Sequence, residues 1–164
     1  MVEISEIQEG DKAELRRLEL RLFKEYLKKS KAISWEDLSQ DLIDQLGASG
    51  EDAFDFYMNG GLSFVAREDG MIVGFIFAQQ MRYVQSLKKV VWIENMGVHP
   101  DYRRQGIAVL LIRKLVQESK EKGADAVLSS VTLDNRESIM LHARLGFLMD
   151  DRKFALLDLE SADF

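Results

Sequence analysis

A chain of 164 residues is long enough for one domain with a real core and short for two, so a single domain over 1–164 is expected. Apolar residues make up 46% and charged residues 30%, the balance of a globular chain, and no apolar run approaches the roughly 20 residues that span a bilayer, which excludes a membrane-spanning helix. Cysteine is absent, His99 and His142 are the only histidines, and the net charge is −6; these exclude a disulfide scaffold, leave a metal site without its usual ligands, and speak against nucleic acid, whose binding needs a basic surface.

Leu15, Leu18 and Leu22 repeat at helical spacing after Asp11, predicting a helix to about Lys29. Ser34-Trp35-Glu36-Asp37 reads as a capping box for a second helix with Leu38, Leu42, Ile43 and Leu46 inward and Gly47 as its stop. Ser49 and Asp52 predict a short third helix ending near Asn59-Gly60-Gly61. Leu62–Arg67 and Met71–Ala78 flank Asp69-Gly70, the strongest hairpin signal in the chain, and Val90–Val98 reads as the next strand, stopped by Pro100. A helix over Gln105–Lys122 turns Ala108, Leu111, Ile112, Leu115 and Val116 inward and closes at Gly123. A buried strand over Ala126–Val131, a helix opened by Asp134 and Glu137 and stopped by Gly146, and a last strand over Lys153–Leu159 complete a mixed α/β order around one sheet.

The charge is uneven. Residues 1–60 carry 14 acidic and 8 basic side chains, whereas the remainder carries 14 of each. Ser34 to Met58 holds seven carboxylates and no Lys or Arg; this is either a solvated helix face or an acidic wall that draws in a cationic partner. Met1–Glu6 lacks the basic flank and apolar stretch of a secretory signal, so a cytoplasmic setting and no membrane partner are expected.

Chemistry concentrates where the strand ending at Val98 passes through Arg103-Arg104-Gln105-Gly106-Ile107-Ala108 into a helix. The unpaired N–H groups of a first helical turn point outward, the helix dipole favours negative charge, and Gly106 lets the backbone approach a ligand. The turn lacks the Gly-Lys-Ser/Thr of a P-loop and the three glycines of a dinucleotide fingerprint. What remains is a cradle for a pyrophosphate without an obvious metal.

Arg103 to Ala108, preceded by Met96-Gly97-Val98-His99-Pro100 and followed by Asn135, Ser138 and Gly146-Phe147, resembles the two signature blocks of the GCN5-related N-acetyltransferase (GNAT) superfamily in order and spacing. The resemblance covers roughly residues 62–159, with the helical front, 1–61, agreeing in outline as the acceptor side. It implies a three-layer fold with a central mixed, mostly antiparallel twisted sheet flanked by helices, and acetyl-CoA as donor. Amides of Arg103, Arg104, Gln105, Gly106, Ile107 and Ala108 would bind the pyrophosphate. The backbone of Met96, Gly97 and Val98 would pair with the pantetheine arm, with Asn135 and Ser138 facing it, and a homodimer is in keeping with the family. Asn135 and Ser138 also read as a helix start and a packing residue.

Acetyl transfer to an amine requires an unprotonated nucleophile, a polarised thioester carbonyl and a proton for the leaving thiolate. Deprotonating a Lys-like amine of pKa about 10.4 at neutral pH costs roughly 4.6 kcal/mol, and an α-amine only about 1. Glu94, on the strand leading to the cradle, is the candidate base, directly or through a water; otherwise it is a charge on a solvent face. Where many relatives carry a Tyr as acid, seven residues after the Asn, this chain has His142, an acid, a base or a hydrogen-bonding group at the pocket edge. The expected activity is an N-acetyltransferase acting on a primary amine: a cationic small amine, a polyamine, or a protein N-terminus or lysine. The rival is an acyl-CoA sensor without turnover. Trp35, Phe54, Phe56 and Tyr57 read as core or as lining of an acceptor pocket.

Overall fold

In a computed structural model, which describes residues 1–31 and 33–161, Asp69 and Gly70 have φ of 49° and 82°. This left-handed pair matches the twist of paired strands and closes a hairpin of β2 (Phe64–Glu68) and β3 (Met71–Val84). A second turn of the same kind, with φ of 50° at Gln85 and 67° at Ser86, joins β3 to β4 (Leu87–Val98). The strand expected from Val90 therefore begins three residues earlier. Neither Gln nor Ser signals positive φ, which hid this turn in the sequence.

β1 (Glu3–Glu6), absent from the sequence expectation, pairs antiparallel with β2, with Ile4 opposite Ala66. At the other side β5 (Ala126–Ser129) runs parallel to β4, giving the order β1-β2-β3-β4-β5. A parallel pair needs a crossover, and α4 (Ile107–Glu121) supplies it.

Successive strand residues face opposite ways, so the sheet sorts its neighbours by parity. Phe75 and Phe77, with Val65, pack under α1 (Lys12–Ser30) and α3 (Phe54–Asn59), against Leu15, Leu18, Phe54 and Tyr57. α1 comes closest at Gly97, where a Cβ would overlap Leu22 and the Phe75 ring. On the other face Gly74 abuts Ile107 and Leu111 of α4. Helices, sheet and helix form the expected three layers around a mostly antiparallel sheet.

Several expectations are corrected. Ser34 does not cap a helix: Trp35–Asp37 is a single 3-10 turn, and the helix α2 (Gln40–Gln45) is capped by Ser39, whose Oγ accepts from Leu42 N–H at 3.2 Å. Leu42 is exposed rather than inward. Within α4, Ile107 and Ser119 are buried, whereas Ala108 and Val116 are half-buried. β5 is half-exposed because, as an edge strand, it pairs with β4 alone. Lys153–Leu159 forms no strand; it has no ladder partner among the described residues, and Phe154 and Leu156 are exposed.

Met1–Ser130 form one compact unit and the chain from Val131 a second. The second contains α5 (Arg136–Arg144), capped by Asn135, whose Oδ1 accepts from Ser138 N–H at 3.1 Å, one residue after the expected Asp134. No described helix is long and apolar enough to cross a membrane.

Candidate active site

β4 leaves the sheet in two stages. It stays paired with β3 as far as Val98, opposite Gly74, but its ladder with β5 ends at Ile93 opposite Ser129. The β5-side edge of Asn95–Val98 is thus without a strand partner among the described residues, an open notch containing Met96, Gly97 and Val98.

The chain then turns through His99, whose N–H donates to Val73 O at 2.9 Å, and a 3-10 turn at Pro100–Tyr102. Arg104 and Gly106 follow with φ of 62° and 82°. A Cβ on Gly106 would meet no atom within 4 Å, so glycine stands there for its backbone angle and the space before it is open. The first intrahelical bond after Gly106 is Leu110 N–H to Gly106 O at 3.1 Å. The N–H groups of Ile107, Ala108 and Val109 precede it and lie at the positive end of a 15-residue helix. Arg104 and Gln105 are exposed, and Gln105 Nε2 approaches Asp101 O at 3.5 Å.

Arg103 is engaged elsewhere. Its Nη1 and Nη2 each reach a Glu25 oxygen at 2.7 Å, and its Nε donates to Val98 O at 3.3 Å. This fork ties the cradle segment to α1, and with Lys29 at 2.9 Å it holds the Glu25 carboxyl down at about 2.

Glu94 lies at a β-bulge. Phe77 is opposite Asn95 but Ala78 is opposite Ile93, so Glu94 is an extra residue on β4. It is exposed, and its Oε2 accepts from Trp92 Nε1–H at 3.0 Å. The Tyr57 phenol, on α3, is raised to about 12 by burial first and then by the adjacent Glu94 carboxylate. The following residue, Asn95, donates through Nδ2 to Glu19 Oε1 at 2.6 Å. Glu19 is wholly buried and also accepts from Ala48 N–H at 3.0 Å, Ser49 N–H at 2.8 Å and the Ser49 hydroxyl. The sequence carried a signal for it: Glu19 interrupts the apolar stripe of α1 four residues after Leu15.

In the second unit, His142 is buried and packs edge-on to Phe147 at 4.8 Å. Its Nδ1 lies 2.8 Å from Ser138 O. A carbonyl only accepts, so Nδ1 carries a hydrogen, and Nε2 is buried with no hydrogen-bond partner among the described residues. Asn135 and Ser138 form the N-terminal cap of α5. No three His, Cys, Asp or Glu converge as a metal site among the described residues.

A five-stranded mixed sheet flanked by helices, with a notch beside β4 and a glycine-led helix start, is a fold that this chain shares with solved N-acetyltransferases. An aminoglycoside N-acetyltransferase, AAC(6')-Iy, solved in complex with CoA, superposes with a TM-score of 0.74 over 97% of this chain and 95% of that one, at 23% identity. A family model described as a protein of unknown function (DUF1999) matches residues 2–163, and the chain belongs to that family. Among curated relatives, an uncharacterized N-acetyltransferase of Methanocaldococcus jannaschii is 34% identical over 86 residues, which are 51% of this chain and 38% of the relative. An aminoglycoside N(6')-acetyltransferase type 1 of Acinetobacter genomosp. 13 is 40% identical over 63 residues, 38% of this chain and 43% of the relative. The match thus spans less than half the length of either.

Proposed function

We propose that the chain is an acetyl-CoA-dependent N-acetyltransferase that moves the acetyl group directly to a primary amine. The observation that carries this is the continuity of the notch and the cradle: β4 frees one edge over Asn95–Val98, and four residues after Arg103 α4 begins with outward N–H groups. An unpaired strand edge suits the amides of a pantetheine arm, and helix-terminal N–H groups suit a pyrophosphate. The named activities of the relatives, and the CoA held by a protein of the same fold, support this reading.

Acetyl-CoA supplies the activated acetyl group. The substrate ammonium first gives a proton to Glu94, directly or through a water; the freed amine nitrogen then forms the new bond to the carbonyl carbon as the carbon–sulfur bond breaks, and its second proton leaves to solvent. Solvent supplies the proton to the departing thiolate, a fair leaving group with a reference thiol pKa of about 8.5. Cysteine is absent, and no acetylated enzyme is required.

The acceptor is a cationic amine: a small amine, a polyamine, or a peptide N-terminus or lysine. Glu36, Asp37, Asp41, Glu51, Asp52 and Asp55 are exposed, and none forms an ion pair among the described residues.

The test is thiol release from acetyl-CoA with spermidine, an aminoglycoside, an alanyl peptide and a neutral amine; a chain without cysteine gives no thiol background. Turnover with preference for the cationic acceptors is expected. Equal rates with the neutral amine would remove the cationic assignment. Binding of acetyl-CoA without CoA release from any acceptor would make the protein a sensor, and ATP binding in place of CoA would overturn the reading of the cradle.

A further inference from the structure

A bulged residue is left out of the ladder and its side chain is re-aimed. Here the extra residue, Glu94, changes the parity of everything before it on β4. Gly97 and Asn95 lie opposite Phe75 and Phe77, on the face of α1 and α3. In a regular strand Trp92 would face the other way. Because Glu94 is extra, Trp92 instead lies opposite Gln79, on the same face as Phe77. There its indole Nε1–H donates to Glu94 Oε2 at 3.0 Å.

A second neighbour comes from another element. Gln79 Nε2 donates to the Tyr57 oxygen at 3.5 Å, and the phenol it holds lies near enough to Glu94 for that carboxylate to raise it. Tyr57 is itself fixed: it is buried, and its ring meets Phe77 edge-on at 5.7 Å. The residue after Glu94 is equally tied, through Asn95 to the buried Glu19. An exposed Glu would otherwise sample several rotamers. This one has a donor from β4, Trp92, and the Tyr57 phenol of α3 nearby, while the residue stays exposed to solvent.

We propose that Trp92 and Tyr57 are positioning residues of the transfer reaction, holding the Glu94 carboxylate in one orientation toward the incoming amine and acting only through it. The inference rests on Glu94 being the base. Neither residue needs to touch either substrate; each restricts where the proton acceptor stands, and misplacement of a reacting group by an ångström is enough to slow a step by up to about 100-fold.

The experiment measures thiol release from acetyl-CoA with whichever of spermidine, an aminoglycoside and an alanyl peptide turns over fastest. The variants are Trp92→Phe, Tyr57→Phe and Glu94→Gln, singly and with each Phe variant combined with Glu94→Gln. Expected are losses in kcat of about tenfold for each Phe variant and about 100-fold for Glu94→Gln, with KM for acetyl-CoA within about twofold of wild type. In the Glu94→Gln background, Trp92→Phe and Tyr57→Phe should cost less than about twofold further, because residues that act as a unit are not additive. Unfolding midpoint and CoA affinity establish that each variant is folded. Should a Phe variant not fold, Glu94→Asp draws the carboxylate back from intact neighbours and should lose about tenfold in kcat alone. Equal losses from the Phe variants in both backgrounds, no loss in either, or full kcat in Glu94→Asp overturn the positioning role while leaving the base in place. Full activity in Glu94→Gln overturns the base, and the positioning role with it.

Discussion

Replacing Glu25 by Gln tests the fork that ties the cradle segment to α1. Both carboxylate oxygens receive Arg103 at 2.7 Å and one also receives Lys29 at 2.9 Å, which brings the carboxyl from its ordinary 4.5 to about 2. A carboxyl lowered by folding stabilises the native state wherever the unfolded chain would be ionised, above about 4.5, and that stabilisation is lost as pH falls through about 2. At 1.36 kcal/mol per pH unit the full linkage is roughly 3.4 kcal/mol. About a third of each side chain remains in water, 30% for Glu25 and 35% for Arg103, and screening of such a pair reduces the figure to about 1–2 kcal/mol. Glu25→Gln is therefore expected to lower the unfolding free energy by about 1–2 kcal/mol at pH 7, with less than half of that gap left at pH 3. Urea unfolding of both proteins at pH 7, 5 and 3 measures it. A gap below about 0.5 kcal/mol at pH 7, the range of an ordinary surface substitution, or one as large at pH 3 as at pH 7, refutes the reasoning.

Glu19→Leu leaves the buried N–H groups of Ala48 and Ser49, and the half-buried Asn95 amide, without their acceptor. At about 1–3 kcal/mol for each orphaned donor, a total loss of at least about 3 kcal/mol is expected in urea unfolding, and a loss under about 1 would show that the loop at 48–49 finds other partners. Gly106→Ala places a Cβ at φ of 82°, in space that no protein atom fills. Stability should fall by only about 1 kcal/mol, while CoA affinity by calorimetry falls at least about tenfold because the new methyl occupies the cradle; unchanged affinity would put the pyrophosphate elsewhere.

The features legible in the sequence are those set by one residue and its near neighbours. Asp69-Gly70 specifies its turn by its own backbone preference, the Leu15, Leu18 and Leu22 stripe specifies α1 by helical period, and Gly106 marks the start of α4 because few other residues take its angle. Asn135, read as either a helix start or a ligand contact, does cap α5. Gln85-Ser86 takes the same kind of turn as Asp69-Gly70 without the residues that favour it, so the pairing of β3 with β4 imposes it. Lys153–Leu159 shows the converse: Phe154, Leu156, Leu157 and Leu159 suit a strand, yet a strand exists only with a partner, and β5 pairs with β4 alone among the described residues.

Glu94 belongs to a third kind of feature. Its candidacy as a base was visible from its place before the cradle, but its surroundings were not, because a bulge is a mismatch between two strands and neither sequence contains it. Counting by twos along Val90–Val98 places Trp92, Glu94 and Met96 on one face. The extra residue breaks that count, sends Trp92 to the side of Gln79 and α3, and leaves Met96 opposite Ile76 on the side of α4. The same irregularity falls just beyond Ile93, where the ladder with β5 stops. One inserted residue thus coincides with both the opening of the notch and the turning of the carboxylate toward Trp92 and Tyr57. On the roles proposed for the notch and for Glu94, a deletion that restored the regular count is expected to lower CoA affinity and kcat together, and Glu94→Gln to lower kcat alone, as calorimetry and thiol release would measure.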